Sequence, residues 1–215
     1  MTVLNSSEHP LTGFSTEDAC ALQVPARDPA GPAVEQADKL QSRAFSLYEA
    51  LVPSWLQILG AVAGLMDKAE EHCKQSQKEP AALIAARLAP DMHPLGYQIK
   101  SSIVHSLGAV EAVRCGRFAP DRSPWPETIS GLRSSVIFAA QWIAAIAPDE
   151  IDASIGRTVR FEAGACKANF VAQDFLLSFS QPNFFFHATT AYDILRAQGA
   201  PIGKIDFLGR LRWQL

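Results

Sequence analysis

The sequence lacks most of the signals that announce a function. It has only four cysteines, Cys20, Cys73, Cys115 and Cys166, and no CxxC pair. That disfavours a zinc knuckle or a thioredoxin-like redox site, and four scattered thiols in a chain of 215 residues do not make a disulfide scaffold. They read as reduced thiols of a cytoplasmic protein. Cys115 stands in "RCGR", where two arginines would favour the thiolate; the alternative is a half-buried cysteine at a helix end. Lysine and arginine never cluster and the net charge is −3, which excludes an electrostatic footprint for nucleic acid. Gly, Gln or a charged residue breaks every apolar stretch before about 18 residues, so no membrane span is expected. The opening "MTVLNSSEHPLTGF" has neither a basic nor an apolar leader region, and no secretory signal is expected. GxSxG, P-loop and GxGxxG motifs are missing, which leaves serine-hydrolase, nucleotide and dinucleotide readings without support. Neither HxxxH nor ExxH occurs, so a metal would have to gather single ligands from separate helices.

What is present is 48% apolar residues in helical periodicity, enough for one sizeable core. Residues 1–35 have no periodicity and much Pro and Gly. They read as a flexible N-terminal extension to a domain spanning 36–215. From Ala33 an apolar stripe begins: Phe45, Tyr48, Leu51/Val52, Trp55, Ile58/Leu59, Val62 and Leu65/Met66. It predicts a long helix ending near Cys73, with a kink or restart at Pro53. "PAALIAARL" predicts a short helix with Pro80 in its first turn. A second long helix is expected from His93 to Val113, with Asp91 as its N-cap. "RFAPDRSPWPET" reads as a loop, and a third long helix follows from Pro126 to Ile146. "RTVRFEAGACKANF" alternates and predicts a β-hairpin turning at Gly164. The fourth long helix spans Val171 to Ala197, with Gly199 as C′ and Pro201 beyond. The apolar tail "IGKIDFLGRLRWQL" is expected to pack back on the helices. The fold class is therefore all-α, a four-helix bundle with a small β-hairpin before the last long helix.

Bundles build sites from side chains on facing helices. "FSQPNFFFHATTAYDILR" puts His187 behind three phenylalanines on the fourth helix. Helical spacing aligns it with Asn183 and Thr190, a polar patch in apolar surroundings. Unpartnered burial of such groups costs roughly 1–3 kcal/mol each, so facing helices or a ligand must meet them. Pro182 removes a helix donor and is expected to free the Ser178 carbonyl and bend the axis, opening a pocket or merely fitting the core. The second helix offers His93, His105, Asp91 and Gln98 as facing groups. His187 is thus either a metal ligand or base, or a core histidine satisfied by hydrogen bonds.

"LYEALVPSWLQIL", "ARLAPDMHPLGYQI" and "DFLLSFSQPNFFFHATTAYDILRAQGAPIGKIDFLG" together resemble an uncharacterised domain-of-unknown-function family within the DinB/YfiT-like metalloenzyme superfamily. The resemblance covers about residues 44–209. It implies a DinB-like four-helix bundle, often a homodimer. Many superfamily members hold a divalent metal through one histidine on the second helix and an HxxxH pair on the last. Some are thiol-dependent transferases or isomerases of small molecules. In "HATTA", His187 takes the place of the first histidine of that pair and Ala191 that of the second; Gln98 stands near the second-helix position. The triad is incomplete, with His93 and Asp91 the nearest substitutes.

Two functions follow. One is a small-molecule enzyme with a pocket between the second and fourth helices. His187 is its base or, with His93, its metal ligand; Asn183 and Tyr192 assist catalysis, and Asp91, Gln98 and Thr190 bind substrate. The other is a non-catalytic, metal-free binding or dimerisation module that keeps the fold. A metal-free isomerase or cyclase is a further possibility that no residue selects.

Overall fold

In the computed structural model, residues 46–213 are described. The N-terminal extension, the start of the first helix at Ala33, and Phe45 and Cys20 lie outside them. The first described helix, α1 (Leu47–Ser76), starts on a capping box. Glu49 N–H donates to Ser46 Oγ at 3.2 Å and Ser46 N–H to a Glu49 carboxylate oxygen at 3.2 Å. A third orphan donor, Tyr48 N–H, is met by Asp152 Oδ1 at 3.1 Å. Pro53 lies in the second turn without breaking the helix, so the expected restart does not occur. The predicted stripe is the buried face: Leu51, Val52, Trp55, Leu59, Val62, Leu65 and Met66 are wholly inaccessible. α1 is long and apolar enough to cross a membrane, but more than half of its apolar window is buried inside the protein, as in a core helix.

Then come α2 (Pro80–Ala85), α3 (Leu95–Val104), α4 (Leu107–Cys115), β1 (Arg117–Phe118), α5 (Ile129–Ala144) and α6 (Pro148–Asp152). The predicted second long helix is therefore two helices. The break falls at His105–Ser106, where Ser106 has φ −121° and ψ −80°. Serine chemistry accounts for it. Ser106 Oγ donates to the Ser102 carbonyl at 2.8 Å and Ser102 Oγ to the Ile99 carbonyl at 2.7 Å, offering the backbone an alternative to the helical ladder. Asp91 is not the N-cap. It is exposed in a turn, and α3 begins only after Pro94. α5 likewise begins later than Pro126, at an N-cap Thr128 whose Oγ1 accepts from Gly131 N–H at 3.0 Å.

The hairpin forms as expected, β2 (Thr158–Ala163) antiparallel to β3 (Cys166–Val171), with Gly164 at φ +61° in the turn. The predicted loop contributes an unforeseen strand: β1 pairs parallel to β2 and makes a three-stranded sheet. The last helical run comprises α7 (Ala172–Asp174), a π-helix (Phe175–Ser180) and α8 (Gln181–Ala197). Pro182 sits in the first turn of α8, where its missing N–H is tolerated, and the wider π turn lies directly before it. The sequence predicts a bend with a free Ser178 carbonyl here; the feature found is the π turn. Gly199, at φ +89°, ends α8 as read from the sequence, and α9 (Lys204–Leu208) brings the tail back onto α1.

The fold is mostly helical with one small sheet. α1 packs chiefly on α5, and α3 on α8. The core between them is headed by Trp55, Phe175 and Phe184. The sheet covers one end of the α3–α8 seam with Phe118, Phe161 and Phe170, which pack edge-on or tilted around Phe175 and Phe179 of the π-helix.

Candidate functional site

The α3–α8 seam brings together Gln98, His105 and His187. Gln98 is 2% exposed, so both ends of its amide need partners. Its Nε2 donates to the His93 carbonyl at 3.0 Å, and its Oε1 lies 2.7 Å from His187 Nδ1. A carbonyl only accepts, so the Gln98 end facing His93 is the NH2 group. The end facing His187 is then an acceptor, and His187 Nδ1 carries the proton. The neutral ring presents its lone pair at Nε2.

His105 is 8% exposed, and its ring lies nearly parallel to that of His187, with centroids 5.6 Å apart and planes 15° apart. Phe118 and Phe179 contact its other sides. Among the described residues its Nδ1 has no hydrogen-bond partner. Burial, and then repulsion from His187, pushes the His105 pKa down to about 4. Burial, and then repulsion from His93, does the same for His187, also to about 4. Both rings are neutral at pH 7.

An aromatic wall completes the site. Tyr97 meets His187 edge-on at 5.9 Å, stacks on His93 at 3.9 Å and meets Trp125 at 6.2 Å. Trp125 lies against Gly96: a Cβ there would stand 2.3 Å from its Cδ1. Exposed Phe186 flanks the outer side of His187.

The other residues expected at the site are placed differently. Asn183 Nδ2 donates to the Phe179 carbonyl at 2.7 Å and so serves the junction between the π-helix and α8. Tyr192 packs against Phe207 of α9, at 5.9 Å between rings; five residues beyond His187 it has turned about 140° around the helix. Thr190 is buried on the face it shares with His187. Asp91 is exposed in the turn before α3, and His93 is exposed over Tyr97. Gln98, expected to bind substrate, has both polar ends engaged within the protein. Tyr97 and Trp125 escaped the sequence reading. His105 was among the facing groups but was not singled out.

Among the described residues no metal set is assembled. Ala191 is fully buried where a second histidine would stand. Gln98 spends its oxygen on His187 Nδ1, and His187 offers one nitrogen. Among the described residues no group of three His, Cys, Asp or Glu side chains is arranged to hold an ion. The pairing of His187 with His93 therefore lacks the further ligands that a first-row metal requires.

Residues 47–208 match the profile of DUF1993, a domain of unknown function. The chain belongs to this family. The DUF1993 chain is also similar to a solved structure, the crystal structure of a DinB family member protein from Shewanella denitrificans. The two are 23% identical with a TM-score of 0.67, over 79% of this chain and 95% of the other. That likeness establishes a shared fold. No curated protein matches the sequence.

Proposed function

We propose that this DUF1993 protein is a metal-independent small-molecule enzyme of transferase or isomerase type, with His187 as its general base. The long helical runs are taken as a four-helix bundle of DinB type, with the site in the seam between its second and fourth members. The observation that carries the reading is the chain His93 carbonyl–Gln98 amide–His187 imidazole, with bonds of 3.0 and 2.7 Å. It fixes tautomer and ring orientation and leaves Nε2 as acceptor, the form a base needs.

The low pKa narrows the chemistry. His187 is wholly unprotonated at pH 7 but intrinsically weak. It takes a proton only where negative charge develops beside it to hold the imidazolium. Deprotonation of a thiol or of an acidic C–H satisfies that condition. Tyr97 and Phe186 would supply an apolar face for the substrate body, and His105 a second neutral ring. A cytoplasmic location without nucleic-acid or membrane partners fits the scattered basic residues and the free cysteines of the described residues, and a homodimer is what the DinB resemblance implies.

The alternative is a non-catalytic binding or dimerisation module. It is favoured by the close packing of His105 on His187 and by Ala191 in place of a ligand. A fragment screen by NMR distinguishes the two. Under the enzyme reading, small thiols or carbonyl compounds shift the His187 and Tyr97 signals, and His187→Ala, still folded, abolishes the response. A response unchanged in the folded His187→Ala protein would sink the enzyme reading.

A further inference from the structure

A groove of about 780 Å³ lies away from His187, on the outward face of α1 opposite the core stripe. The C-terminal segment forms its second wall, running antiparallel to α1. Lys68 pairs with Asp206 at 2.6 Å, Gln57 Nε2 donates to the Leu208 carbonyl at 2.9 Å, and Arg212 reaches Ser54 Oγ at 3.4 Å. Gly209 makes this approach possible: its φ is +62°, and a Cβ there would lie 3.0 Å from Ala61.

The floor is different. Gly60 and Gly64 lie one turn apart, and a Cβ on either would meet nothing within 4 Å. Neither has a positive φ. Each costs the helix roughly 0.5–1 kcal/mol relative to alanine, and no packing within the described residues requires either one. They leave an open trough beside Ala61 and the exposed Ile205.

Charge gives the trough a direction. At one end Asp206 neutralises Lys68. At the other, Arg210 and Arg212 line the groove, and among the described residues neither meets a carboxylate. From Ser54 to Gly64 the helix rises about 15 Å. We propose that the groove binds an amphipathic carboxylate, a medium- or long-chain fatty acid anion, with its head on Arg210 and Arg212 and its chain along Gly60 and Gly64. A second copy of the chain is the poorer occupant, because it would bring a second pair of arginines to the same face. This site is separate from that of His187 and does not rest on it.

Calorimetric titration of the full chain with octanoate, decanoate and dodecanoate, below their micellar concentrations, tests the proposal. Saturable one-to-one binding is expected, strengthening by about fourfold per added methylene. Gly64→Leu fills the trough without touching the fold and should abolish binding while thermal unfolding is unchanged or raised. The double variant R210Q/R212Q should weaken binding at least fivefold, and His187→Ala should leave it unchanged. The absence of saturable binding, or binding that Gly64→Leu leaves intact, overturns the proposal. So does a dimer that Gly64→Leu dissociates, or dodecanoate uptake that follows added phospholipid vesicles instead of the protein.

Discussion

The imidazole of His187 and the amide of Gln98 are joined at 2.7 Å across the α3–α8 seam, and the other end of that amide is held by the backbone of His93. Replacing Gln98 by Leu strands a half-buried imidazole donor and the His93 carbonyl. Unfolding in urea should show a loss of about 1–3 kcal/mol. Gln98→Glu should instead raise the His187 pKa, because a carboxylate at Nδ1 favours the imidazolium. An NMR titration that finds His187 unmoved in the glutamate variant contradicts the assigned contact.

Acid should destabilise the protein in a defined window. Both histidines have folded pKa values of about 4, below the ordinary 6.5. Between those values the unfolded chain binds more protons than the folded one, so stability rises with pH there. The contribution is fully present above about pH 6.5 and is lost as the pH falls toward 4. Chemical unfolding at a series of pH values should show this slope, and His105→Phe should flatten it. A slope identical in the two proteins removes His105 from the account.

Gly96→Ala should dislodge Trp125, since the new methyl group would lie 2.3 Å from its ring. Trp125 comes from a loop, so it moves more readily than α3. A red shift in tryptophan emission and a loss of about 1–3 kcal/mol are expected, with the change absent when Trp125 is replaced by Phe beforehand. Retained emission and stability would mean that Trp125 does not rest on Gly96.

Protein equilibrated with excess zinc or nickel, then passed into metal-free buffer, should retain far less than one ion per chain. Among the described residues no group of three His, Cys, Asp or Glu side chains gathers at His187 to hold an ion. Stoichiometric metal that His187→Ala releases would reverse that conclusion.

Much of this arrangement was legible in the residues. The α1 stripe, the hairpin around Gly164 and the end of α8 at Gly199 follow from periodicity and backbone chemistry that act locally. His187 and Gln98 were recognisable as polar groups on facing helices. The misses share a cause: they depend on contacts that no local window holds. Two-residue β1 has no period to detect. The break at His105 comes from serine hydroxyls competing with the ladder. Tyr192 meets Phe207 only because the tail returns to the helices. Trp125 reaches Gly96 from a loop, and only the fold brings them together.

We propose His187 as a neutral base whose Nδ1 bears the proton and whose Nε2 is open. Nitrogen-15 NMR of histidine-labelled protein, with His187 assigned by its alanine variant, tests it directly. A protonated Nδ1 and an unprotonated Nε2 are expected at pH 7, with no imidazolium until the pH falls well below 6. A proton on Nε2, or an imidazolium at pH 6.5, would contradict it.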